Sequence, residues 1–202
     1  QISRATETAF ENGDAISVFA VDPKVGMELK ASGNYADNVK YTYQGTHFEA
    51  GSDAITISES NTTGLGYYAV YPYLLSASNK FSFTVKANQS THTNYTLSDL
   101  CTAYAPQTTD KSVNLEFSHR LSNVVVKFYG ENLASQNIKV QLENVYTSCI
   151  ADINANTYQA TGSRNTVVMG EESSNAFQAI IVPQTVSANE PFMTVTMNGE
   201  TI

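Results

Sequence analysis

The 202-residue chain reads as short runs that alternate apolar and polar side chains with a period of two, separated by polar turns. The clearest run is Phe81-Ser82-Phe83-Thr84-Val85-Lys86. It predicts a half-buried strand with Phe81, Phe83 and Val85 inward, in the core of a first domain. Residues 39–43 alternate in the same way, with Val39, Tyr41 and Tyr43 on one face. Residues 15–21, 54–58 and 67–73 read as further strands. The last runs into Pro72, so its end should sit at a sheet edge or leave the sheet. From 87 to 112 the alternation lapses into a polar connection, in which residues 98–103 read as one helical turn with Ser98 as N-cap. A connection this long inside one compact domain marks a boundary, placed near Asp110.

Beyond it strands resume at 113–118, 121–129, 138–145, 157–160, 166–169 and 176–182. Val124, Val126, Phe128, Val140 and Leu142 are expected in a second core. No helical period persists over ten residues. The pattern therefore predicts an all-β protein of two tandem, mostly antiparallel β-sandwich domains, residues 1–110 and 111–202. The chain closes on a strand at 192–197, the hairpin turn Asn198-Gly199 and a return arm of three residues, Glu200-Thr201-Ile202. A strand usually runs about 5–6 residues. The second domain is thus expected to lack its final strand. Its open edge, at Phe192, Thr194, Val195, Thr196 and Ile202, is a candidate for strand exchange with another chain.

Composition narrows the function. Charged residues are only 15% of the chain and the net charge is −8. With no cluster of Lys or Arg, nucleic acid and anionic membrane are excluded as partners. Twelve Tyr and nine Phe favour strands. No apolar stretch approaches the 18 residues that would span a bilayer as a helix. Cys101 and Cys149, 48 residues apart, match no metal-ligand spacing and read as two thiols or one disulfide. His47, His92 and His119 have no second ligand near them in sequence. Asp152, Asn154 and Asn156 alternate like a calcium loop but lack its glycine and glutamate, so a turn explains them better. No nucleophile elbow or phosphate cradle is present. No enzyme activity, metal or cofactor is expected.

The run Tyr67-Tyr68-Ala69-Val70-Tyr71-Pro72-Tyr73 offers one candidate ligand surface, a platform of Tyr68, Tyr71 and Tyr73 for stacking on sugar rings. The absence of Trp weighs against it, and a strand covered on both faces accounts for the same residues.

Several phrases, in order, resemble the fimbrillin-like proteins of Bacteroidetes. They are Phe10-Glu11-Asn12-Gly13-Asp14-Ala15-Ile16-Ser17-Val18, the 39–43 strand, Tyr68 to Tyr73, Ser98-Asp99-Leu100, Leu115 to Ser122, and Ile181-Val182-Pro183-Gln184. The resemblance covers nearly the whole chain and implies transthyretin-like sandwiches with Greek-key connections and no catalysis. It implies a structural fimbrial subunit, or a tip or adhesin component, on the surface of an anaerobic bacterium. Such a protein is exported as a lipoprotein to the outer membrane, anchored by a lipid upstream of Gln1, and assembles by strand exchange with other subunits. Host or bacterial surface glycoproteins are further partners on this reading, and a surface-anchored glycan-binding module using residues 67–73 is the alternative. The resemblance also implies a trypsin-like cut between Arg4 and Ala5, which removes a first strand and opens a groove for the next subunit.

Overall fold

The structure is a computed structural model and describes residues 9–173 and 175–202. Among the described residues the strands follow in order: β1 Ala15–Val21, β2 Ala36–Tyr43, β3 Phe48–Ala50, β4 Leu65–Tyr71, β5 Lys80–Thr84, β6 Cys101–Thr108 and β7 Ser118–His119, then β8 Ser122–Lys127, β9 Ile138–Asp152, β10 Thr157–Val168, β11 Gly170–Ser173, β12 Ala176–Ile181, β13 Met193–Met197 and β14 Glu200–Thr201. One short helix, α1 His92–Thr96, lies between β5 and β6. The pairs β1–β2, β1–β4, β2–β3, β4–β6, β6–β7, β8–β12, β9–β13, β11–β12 and β13–β14 are antiparallel. The fold is all-β, as the alternation requires.

The chain forms two compact units, and they are interleaved. Among the described residues the first comprises 9–81, 100–120 and 152–157; the second comprises 82–99, 121–151, 158–173 and 175–202. The sequence reading placed one crossing near Asp110 and put Phe83 and Val85 in the first core. Here both belong to the second unit, because β5 pairs with β9 and the Val85 N–H donates to the Thr147 carbonyl at 2.9 Å. Their inward register is nonetheless as expected: Phe81, Phe83 and Val85 are all buried.

In the first unit a six-stranded sheet runs β3-β2-β1-β4-β6-β7. Its centre is apolar on both sides: Ile16, Val18 and Ala20 face one way, Phe19 and Val21 the other, and all are buried. Strand β6 occupies the stretch where the alternation lapses, in place of the irregular connection and Ser98-capped turn that the pattern predicts. Its inward residues Cys101, Ala103 and Ala105 are small because Tyr71, Ala69 and Tyr67 of β4 stand directly opposite. Bulk on one strand is matched by its absence on the other, which leaves β6 a weak hydrophobic signal. The helix begins earlier than expected, with Thr91 as N-cap accepting the Asn94 N–H at 3.2 Å.

The second unit is a sandwich of a five-stranded sheet (β10-β9-β13-β14, with β5 also on β9) and a three-stranded sheet, β11-β12-β8. Val140, Leu142 and Val195 of the larger sheet pack with Phe177, Ala179 and Ile181 of the smaller, and Val124, Val126 and Phe128 join them partly buried. Strand β9 is longer than its sequence pattern suggests because its phase slips once. Ile138, Val140 and Leu142 are buried, then Val145, Thr147, Cys149 and Ala151. Asn144, at φ +56°, absorbs the extra residue.

Candidate functional site

The inner face of the six-stranded sheet carries a groove of about 1010 Å³. Its floor is Ile16, Val18, Tyr41, Tyr43 and Tyr67. Phe10 anchors one end, its ring 4.8 Å from that of Phe48, 5.3 Å from Tyr71 and 5.2 Å from Phe117. Three of these pairs meet edge to face, the favoured aromatic geometry.

Two segments form the walls, and both were expected to be strands. Residues 54–58 and 113–117 have the alternation of a strand: Ile55 and Ile57, then Val113, Leu115 and Phe117, turn toward the core, while Thr56, Asn114 and Glu116 are exposed. Among the described residues neither segment belongs to a ladder. Tyrosine hydroxyls hold the first wall instead. Tyr41 Oη accepts the Ile55 N–H at 3.1 Å, and Tyr35 Oη donates to the Thr56 carbonyl at 2.8 Å. Side-chain burial holds these segments in extended form, while among the described residues their main chains have no ladder partner. An extended segment outside any described ladder offers another strand the same unpaired main-chain groups as a sheet edge.

The other expected site residues are dispersed. Arg4 and Ala5 lie outside the described residues. At the closing hairpin, β13 pairs along its length with β9, from Met193 opposite Leu142 to Met197 opposite Ile138. On its other side β14 pairs with Thr196 and Met197, and the Ile202 N–H reaches the Val195 carbonyl at 3.0 Å. Asn198 and Gly199 turn the chain at φ +53° and +91°. Phe192 packs partly buried on the second core, and its carbonyl accepts the Glu143 N–H at 2.7 Å.

The three tyrosines of the suggested platform do not share a surface. Tyr71 is 1% exposed and donates to Asp14 Oδ1 at 3.1 Å, whereas Tyr68 lies on the opposite face of β4. Tyr73 carries Lys40 Nζ 5.3 Å above its ring. Local sequence gave no sign of another contact: Cys101 and His119 face each other across β6 and β7, with Sγ 3.3 Å from Nδ1. His47 instead meets Glu49 at the surface, 2.7 Å away.

A family model described as fimbrillin-like matches residues 3–202. The chain belongs to that family. Among solved structures, it is similar to a proposed cell adhesion protein from Bacteroides uniformis ATCC 8492, with a TM-score of 0.72 at 20% identity over 95% of this chain and 77% of that one. A proposed cell adhesion protein from Bacteroides ovatus ATCC 8483 gives 0.70 at 21% identity, over 96% and 76%. A fimbrial protein from the same organism gives 0.62 at 17%, over 96% of this chain but 41% of its own. At such identities these likenesses show the fold. No curated protein matches the chain significantly. Family membership makes this a structural protein of the cell surface rather than an enzyme, with other fimbrial subunits as its implied partners.

Proposed function

We propose that the chain is a fimbrial subunit that polymerises by accepting an extended segment of a neighbouring subunit into the groove of its first unit. The observation that carries this reading is the pair of walls at 54–58 and 113–117, strand-like in side-chain burial and, among the described residues, outside any ladder. A donor strand laid along either wall gains main-chain hydrogen bonds and sets alternate side chains into the apolar floor. Three such side chains contribute about 5–9 kcal/mol by burial, so a donor is selected by its apolar pattern as well as held by its backbone. Cleavage between Arg4 and Ala5, a few residues ahead of the anchor Phe10, opens the groove on this reading. Export as a lipoprotein to the outer membrane precedes it. The edge of β13 at Phe192, Thr194, Val195, Thr196 and Ile202 is a second place for a neighbour's strand. The first-unit groove is favoured because β14 already covers part of that edge.

The test is limited digestion of the purified chain with a trypsin-like protease, followed by sizing and electron microscopy. The expected product begins at Ala5 and forms oligomers. Leu115→Asp, which charges the groove wall, should be cut at the same bond and stay monomeric. Cleaved chain that remains monomeric, or a Leu115→Asp variant that polymerises normally, would overturn the groove as acceptor.

A further inference from the structure

A second recess lies on the other face of the same sheet and takes no part in the groove. In the β4–β6 register Tyr68 stands directly opposite Tyr104. Their ring centroids are 4.8 Å apart and the planes are tilted by 47°. Tyr68 is held in place because its hydroxyl donates to the Met27 carbonyl at 2.9 Å. Tyr104 is 45% exposed. Beside the tyrosine pair is a recess of about 280 Å³, floored by Thr102 and rimmed by Glu28, Arg120, Asn154 and Asn156, all of them in the first unit.

The rim is built rather than incidental. Arg120 Nε donates to Thr102 Oγ1 at 2.6 Å, which orients the guanidinium over the floor. Asn154 makes two bonds with the backbone of Leu29: Oδ1 accepts its N–H at 3.1 Å and Nδ2 donates to its carbonyl at 2.8 Å. Leu29 is itself 1% exposed, so the loop that brings Glu28 to the recess is fixed by a buried side chain and an amide clamp. Asn156 turns the chain beside it at φ +52°. A carboxylate, a guanidinium and two amides thus converge on one small concavity with an aromatic wall.

We propose that this recess binds a single pyranose ring of an uncharged glycan. A sugar ring is apolar on its C–H faces and carries donors and acceptors around its edge, and the recess presents the complement. The exposed face of Tyr104 receives the C–H face. The Glu28 carboxylate accepts from hydroxyls and the Arg120 guanidinium donates to them, while Asn154, clamped to Leu29, shapes the rim. The tilt of the two rings makes a notch in place of a flat platform, which suits one ring seated within it. A wholly apolar ligand would strip water from the exposed Glu28 carboxylate without replacing its hydrogen bonds, a substantial cost. The charges of Glu28 and Arg120 offset each other and the chain carries −8 overall, which disfavours acidic sugars.

The test titrates the monomeric chain with the methyl pyranosides of glucose, galactose, mannose, fucose, N-acetylglucosamine and N-acetylgalactosamine, and with N-acetylneuraminic acid as the acidic comparison. Binding is read by saturation-transfer and amide chemical-shift NMR. At least one neutral sugar should produce saturable shifts at Tyr104 and Asn156. Tyr104→Ala, at an exposed position, should weaken that binding at least tenfold, and Glu28→Gln should weaken it several-fold with the amide spectrum otherwise intact. The idea fails if no neutral sugar binds, if binding survives both variants, if the shifts map to the Phe10 groove, or if N-acetylneuraminic acid binds more tightly than every neutral sugar. None of these outcomes depends on polymerisation.

Discussion

Gln89 is fully buried and does the work of a missing strand. Its Oε1 accepts the Ile180 N–H at 2.8 Å, and its Nε2 donates to the carbonyls of Ile180 at 2.7 Å and Lys86 at 3.1 Å. The flanking backbone is stitched to the end of β10: the Gln89 N–H donates to the Val168 carbonyl at 2.9 Å, and the Val168 N–H donates to the Ala87 carbonyl at 2.8 Å. Room for this passage depends on Gly170, where an added Cβ would lie 2.5 Å from the Gln89 carbonyl oxygen. Gln89→Met keeps the volume and removes all three side-chain bonds. It leaves the N–H and C=O of Ile180, a residue 1% exposed, buried without partners. Each such group costs about 1–3 kcal/mol, so the loss should be about 2–6 kcal/mol against a total stability of about 5–15 kcal/mol. Urea unfolding followed by circular dichroism gives the total, and amide hydrogen exchange at Ile180 reports whether the loss is local. The reasoning is refuted if Gln89→Met unfolds within about 0.5 kcal/mol of wild type, the range of a neutral surface substitution, with Ile180 still protected.

Two further outcomes follow from the backbone and from burial. Gly199→Ala places a Cβ at φ +91° in the closing hairpin and should cost about 1–2 kcal/mol. Gly51→Ala, with open space around it and ordinary φ, serves as the control, and equal unfolding midpoints for the two would contradict the turn assignment. Burial pushes the Cys149 thiol up to about 11, so at pH 8 its reactive thiolate is scarce as well as inaccessible. Iodoacetamide should leave Cys149 unmodified in the native chain and label it in urea, as mapped by peptide mass spectrometry; comparable rates in both states would contradict its burial.

The amino-acid sequence by itself determined which side chains go inward. The alternation at 81–85 and 138–142, the Asn-Gly turn and the ordered family phrases rest on local geometry: successive strand residues face opposite ways, and only certain residues accept positive φ. Even Ile55, Ile57, Val113 and Leu115 turn inward as their spacing requires. Tertiary structure alone decided which strand lies beside which. Pairing is a long-range property, so a strand-like pattern does not reveal that 54–58 and 113–117 border a groove and, among the described residues, join no ladder. Nor does a run of small residues reveal that β6 fills the space beside Tyr67 and Tyr71. The meeting of Tyr68 with Tyr104, and of both with Glu28 and Arg120, likewise depends on residues far apart in sequence. Local sequence fixes the face a side chain takes; its neighbours exist only once separate segments have folded against one another.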